Sequence, residues 1–148
     1  MSRGFQATAE IARPPAEVWR AMTDFARAPA WMPGVSRVAA LNDDPVGPGK
    51  RYEVAFAQSG RGKSTISTLS EWDPGRMVFA FASSQSGLRT HYRYSLRPSA
   101  AGTAATLEAT SEARAPVMKL MHPLLNLLMT KHDSRQMTLL KAMLEAGG

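Results

Sequence analysis

The hydrophobic period of this chain changes at Ala115, and that change limits the folds open to it. From Lys63 to Arg114 apolar and polar residues alternate, whereas from Ala115 onward the apolar residues recur at helical spacing. Tyr52, Val54 and Phe56 share one strand face, as do Met77, Phe79 and Phe81, and again Tyr92, Tyr94 and Leu96. Charged or small residues take the opposite face. Alternation of this kind describes an antiparallel sheet with one apolar and one wet side. Turn signals at Asn42–Gly49, Ser59–Gly62, Asp73–Gly75, Ser83–Gly87 and Ala100–Thr103 divide it into strands. A single α+β domain over residues 1–148 is the expected organisation, and a chain of that length buries roughly 70% of its unfolded surface.

The helical segment has to cover the apolar face. Pro116 suits a first turn, but Pro123 lacks a donor and crowds the preceding turn, so the sequence predicts a break near His122 and a main helix from about Pro123 to Glu145. That length is roughly 35 Å, and Gly147 and Gly148 end it. On a helical wheel Leu125, Leu128, Met129, Leu139, Leu140 and Met143 fall within about 120° of one another. His132 and Gln136 fall in the same arc, while Lys131, Arg135, Thr138 and Lys141 lie outside it. Two polar side chains on a buried face need partners, because an unsatisfied group costs about 1–3 kcal/mol. They either bond within the core or face a cavity and orient a ligand.

The N-terminal third carries a specific order of elements. A strand from Phe5 to Ile11 ends in Arg13-Pro14-Pro15, Ala16-Glu17-Val18-Trp19 opens a helix, and Asp24 closes it. The turn Ala28-Pro29-Ala30-Trp31-Met32-Pro33-Gly34-Val35 comes next, and Gly47-Pro48-Gly49-Lys50 precedes a new strand. Gly75-Arg76-Met77-Val78-Phe79, the run from His91 to Pro98, Gly102-Thr103 and the C-terminal apolar helix continue the order. In this the chain resembles the polyketide cyclase/dehydrase and lipid-transport proteins of the START-like, or Bet v 1-like, group. The resemblance implies a helix-grip fold: a curved antiparallel sheet wrapped around a long C-terminal helix, with two short helices between the first two strands. It also implies an internal cavity, and Trp31 and Met32 lie in the turn where such proteins place elements flanking its mouth; the tryptophan either gates the pocket or closes the base of the core. The residues expected to line it are Trp31, Tyr52, Phe79, Phe81, Tyr92, Tyr94, Leu125, Leu128, His132 and Gln136.

Other chemistries find little support in the residues. The segment Ala57-Gln58-Ser59-Gly60-Arg61-Gly62-Lys63-Ser64 nearly spells a phosphate-binding loop, yet alanine stands where the first glycine belongs. The adjoining run Thr65-Ile66-Ser67-Thr68-Leu69 is β-branched and alternating, a poor helix start, so a Gly-rich hairpin is expected. His91, His122 and His132 lack metal-ligand spacing, no Gly-x-Ser-x-Gly elbow is present, and Asp43 and Asp44 sit in a loop. No carboxylate is seen to pair with a histidine. We therefore expect no metal and no cofactor.

The absence of cysteine fits a reducing cytoplasm, and neither a signal peptide nor a membrane span is expected. The formal charge of +6 is scattered. Its densest set, Arg89, Arg93 and Arg97, would face Glu108 and Glu112 if the strands carrying them pair, as solvated cross-strand ladders rather than a nucleic-acid surface. The expected partner is a small hydrophobic ligand (lipid, polyketide or isoprenoid-like), with no nucleic acid, no integral membrane association, and a monomer or homodimer. The alternatives are a cofactor-independent polyketide cyclase or dehydratase, in which a histidine or tyrosine moves a proton, and a quinone-binding or chaperone-associated interaction module.

Overall fold

The connection between the first two strands decides the architecture, because it has to cross the whole sheet. In the computed structural model, which describes residues 2–57, 64–85 and 87–147, β1 (Ser2–Ile11) and β2 (Val35–Ala40) form the two edges of a seven-stranded sheet. Between them run β7 (Gly102–Ala113), β6 (Leu88–Ser99), β5 (Val78–Gln85), β4 (Ser64–Asp73) and β3 (Arg51–Phe56), in that order. All neighbours are antiparallel, so β2 to β7 form a meander and only β1 is placed out of sequence.

The crossing is made by α1 (Pro15–Thr23) and a 3-10 turn (Phe25–Ala30). Pro15 starts α1 at a position where a missing N–H costs nothing. Val18, Ala21 and Met22, at helical spacing, turn into the core. With them are packed Ile11, Phe25, Trp31, Leu69, Phe79 and Leu107, all nearly inaccessible. Burying each large apolar side chain of this kind contributes about 1.5–3 kcal/mol.

The wet face of the sheet carries the charge ladders. Arg93 lies opposite Glu108 and Arg89 opposite Glu112 in the β6–β7 register. Arg93 also donates to Glu71 at 3.0 Å, and that bond raises its pKa above the ordinary arginine value.

The C-terminal helix differs from the expectation in where it breaks. It starts at Pro116, passes through Pro123, and is interrupted at Ser134, giving α2 (Pro116–Asp133) and α3 (Arg135–Ala146). Pro123 and Lys119 are both exposed, so the Lys119 carbonyl left without a donor meets water and the helix tolerates the proline.

The two halves are held very differently. Met137, Leu140 and Leu144 of α3 are buried, and its end is tied to β1 by the Ala12 N–H, which donates to Glu145 Oε2 at 2.9 Å. Lys141 donates to the same oxygen at 2.7 Å and is the main reason that the Glu145 pKa lies below its ordinary value. On α2, by contrast, His122 is the one buried residue, hydrogen-bonded through Nε2 to Ser111 Oγ of β7 at 2.9 Å.

The Ser59–Gly62 turn lies outside the described residues. Its flanks are the antiparallel strands β3 and β4, and Ser64 opens a strand, not a helix.

Candidate functional site

Under α2 the sheet leaves space. A cavity of about 540 Å³ is walled by β2 to β6, by the 3-10 turn with the loop after it, and by one face of α2 and the start of α3. Strand alternation supplies the lining, since Phe81 and Ser83 of β5, and Thr90, Tyr92 and Tyr94 of β6, point to the same side. Val38, Val54 and Leu88 contribute apolar wall, as do Met118, Leu125 and Met129 from α2. A volume near the middle of the roughly 300–1,000 Å³ range of small-molecule sites suits a ligand of modest size.

The polar groups from the helices gather at one end, where α2 meets α3. Asp133 accepts a short hydrogen bond from the Tyr92 hydroxyl on Oδ2, and its Oδ1 lies 3.2 Å from His132 Nδ1. Beside them the Tyr94 hydroxyl donates to Gln136 Oε1 at 2.7 Å, which leaves the amide nitrogen of Gln136 as the donor of that pair. His132 is partly exposed and stands against Gly34, whose φ is +79°. A Cβ at Gly34 would lie 3.1 Å from the imidazole Cε1, so both backbone conformation and space favour glycine where the loop meets the ring.

Burial pushes the pKa of Tyr92 and of Tyr94 far above the ordinary phenol value, and the negative charge of Asp133 pushes both further. Tyr52 is raised by burial as well. These are the chain's three tyrosines. A phenol whose folded pKa is raised contributes stability that is whole below its unfolded pKa, near 10, and is lost as pH rises beyond it. In an alkaline titration the phenolate absorption of Tyr92 and Tyr94 should therefore appear only together with loss of near-ultraviolet dichroism, as the chain unfolds. Reversible ionisation of more than one tyrosine in the folded protein near pH 10 would contradict the burial described.

Of the ten residues singled out in the sequence, Phe81, Tyr92, Tyr94, Leu125, His132 and Gln136 come together around this cavity. The other four do not line it. Trp31 is fully buried, packed edge-on against Tyr94 at 5.7 Å between ring centroids, so it closes the core and does not stand at the mouth. Tyr52 packs against Phe25 and Phe81, and Phe79 stacks on Tyr94 at 4.8 Å; both belong to the aromatic core behind the cavity wall. Among the described residues the Trp31 indole nitrogen and the Tyr52 hydroxyl have no hydrogen-bond partner.

Leu128 is more than half exposed. On a helix turning about 100° per residue it lies roughly 90° from the middle of the arc formed by Met118, Leu125, Met129, His132 and Asp133. Of the polar groups at the α2–α3 junction, one has no place among the sequence candidates. Asp133 supplies the carboxylate–histidine pair that no motif in the chain spells out. The signal was there, because Met129, Asp133 and Gln136 are spaced i, i+4, i+7 and so share a helix face.

Among the described residues no group of three or more histidine, aspartate or glutamate side chains is arranged to hold a metal ion. Nor is any helix among them long and apolar enough to cross a membrane.

Comparison with solved structures places the same architecture in proteins of distant sequence. A protein of Thermus thermophilus superposes with a TM-score of 0.78 at 20% identity, over 99% of each chain. The Zhui aromatase/cyclase of Streptomyces sp. R1128 superposes with a TM-score of 0.80 at 16% identity, over 98% of this chain and 94% of the other. A polyketide-cyclase-like protein of Corynebacterium glutamicum gives 0.67 at 18% identity, over 99% and 94%. No curated protein matches the sequence. At such identities the likeness speaks for the helix-grip fold alone. The sequence itself, however, matches the family profile described as polyketide cyclase / dehydrase and lipid transport from residue 2 to residue 145. With nearly the whole chain accounted for by that profile, and the sheet, C-terminal helix and cavity arranged as described, the protein belongs to the polyketide cyclase/dehydrase and lipid transport family.

Proposed function

We propose that the protein holds one small, largely apolar molecule with a single hydrogen-bonding end. The observation that carries this reading is the distribution of polarity: valine, leucine, methionine and Phe81 along the walls, hydroxyls on β4 to β6 of which Ser83 and Thr90 bond to each other at 2.7 Å, and the charged and ring-bearing groups His132, Asp133 and Tyr92 gathered with Gln136 at the α2–α3 junction. Apolar walls supply affinity with little directional preference, while a few placed donors and acceptors fix which end of the guest goes where. A lipid, polyketide or isoprenoid-like molecule bearing a carbonyl or hydroxyl group fits that division. The chain would act as a single-domain carrier in the cytoplasm, as monomer or homodimer.

Fluorescence titration with an environment-sensitive apolar probe tests the reading. One saturable site, emptied by competition with a long-chain ketone or alcohol, is expected. Asp133→Asn keeps the shape but removes the charge, so affinity for the competitor's polar end should fall about tenfold, or about 1.4 kcal/mol, with the alkane-like part of the affinity kept. Absence of saturable binding in the folded protein would overturn the proposal.

A second reading is favoured by one specific observation. Asp133 bridges an imidazole and a phenol, and a carboxylate on Nδ1 fixes the tautomer that leaves Nε2 free to take a proton. That arrangement suits a cyclase or dehydratase acting on a poly-β-ketone chain. In that case Asp133→Asn or His132→Gln should lower turnover by about 100- to 10,000-fold while leaving substrate binding within a few-fold. Equal loss in binding and turnover would return the residues to a holding role.

A further inference from the structure

Helix α2 carries a second apolar face that the cavity does not use. Val117, Leu120, Met121, Leu124, Leu127 and Leu128 are between 43% and 84% exposed. At about 100° per residue they fall within one arc of roughly 120°, whose middle is about 130° round from the cavity-lining arc. The stripe extends for about 17 Å. A surface helix normally gives its outward side to charge, so a row of large aliphatic side chains left uncovered by the described residues marks a contact surface.

The surrounding charge indicates what that contact is. From Arg114 to Arg135 the sequence carries Arg114, Lys119, Lys131 and Arg135, and its one acid is Asp133. Asp133 is engaged with Tyr92 and His132 on the cavity side. At the N-terminal end Arg114 lies 3.6 Å from Glu112. The outer side of α2 is thus apolar along most of its length and cationic at its C-terminal end, where Lys131 continues the stripe towards Arg135.

We propose that this face docks on the surface of an anionic lipid bilayer, with α2 lying in the interfacial plane. Aliphatic side chains enter the boundary between headgroups and acyl chains while lysine and arginine stay at the level of the anionic headgroups. A second copy of this chain fits less well. Two-fold pairing through the stripe sets α2 against α2, and the acid at its end, Glu112, already lies 3.6 Å from Arg114, so Lys131 and Arg135 gain no free counter-charge from the other copy. The proposal does not depend on what the cavity holds.

Flotation of the full chain with lipid vesicles provides the test. Vesicles of phosphatidylcholine mixed with phosphatidylglycerol should carry the protein, vesicles of phosphatidylcholine alone should not, and raising the salt should weaken the association. Leu120→Ser with Leu124→Ser should reduce binding about tenfold or more, and Lys131→Gln about fivefold. Both positions of the double variant are exposed and outside the cavity, so its thermal transition and its binding of an apolar probe in solution should match the parent. Failure of that probe titration in the parent would overturn the carrier reading and leave the docking result standing. The docking proposal is overturned by absence of flotation, by equal flotation on neutral vesicles, or by binding that the double serine variant leaves intact. A parent dimer that the double variant dissolves, seen by sedimentation, would also overturn it and assign the stripe to a second copy.

Discussion

Met129→Trp should weaken binding of an apolar probe about 100-fold or more, roughly 2.7 kcal/mol, while Leu128→Trp, one residue away, should leave it within about twofold. Met129 lines the cavity and Leu128 faces outward. An indole in place of the flexible thioether fills space that a guest would occupy, and the guest then has to displace a side chain already in van der Waals contact with the walls. Overpacking a filled core typically costs about 1–3 kcal/mol, but here the added atoms enter a cavity of about 540 Å³. The fold should therefore survive with an undiminished cooperative transition. Probe fluorescence gives the affinities and circular dichroism the folding control. If both tryptophan variants bind alike, the cavity under α2 is not where the probe sits.

Phe79→Ala should cost about 3–5 kcal/mol of stability, a large share of the roughly 5–15 kcal/mol that holds a domain of ordinary stability together. Phe79 is fully buried, stacks on Tyr94, and meets Trp19, Phe25 and Phe81 edge-on. Removing the ring leaves a void lined by groups that the sheet and α1 hold in place, so collapse into it is limited. Affinity per folded molecule should change much less, because Phe79 does not line the cavity. Urea unfolding measures the first quantity and probe titration under folding conditions the second. A destabilisation below about 1 kcal/mol would mean that the aromatic cluster is not the centre of the core.

The sequence by itself determined the elements and their order. Alternation of period two along β3 to β7 and helical spacing after Ala115 are local properties, and they decide which side of each strand and of α3 is apolar. The order of motifs from Arg13 to Val54 pointed to the same helix-grip arrangement. The pairing of Arg93 with Glu108 followed from spacing once β6 and β7 were neighbours.

Other features only the tertiary structure decided. Alternation puts Phe79 and Phe81 on the same side of β5, yet Phe79 is core and Phe81 is cavity wall, because α1 presses on the sheet at one level and α2 stands off at the other. Leu128 falls at the edge of the apolar arc that Leu125 to Met143 describe as one helical phase, and only the seating of α2 puts it outside: the helix presents its cavity face along Met118, Leu125 and Met129, with Leu128 about 90° round from it. Pro123 failed to stop the helix because the carbonyl it leaves unpaired is in water. Asp133 acquired its role from Tyr92, forty-one residues earlier in the chain, across the cavity. Local periodicity reports which side of an element is buried; whether that side meets side chains or empty space depends on how far the next element stands from it, and that distance is set by the packing of the whole chain.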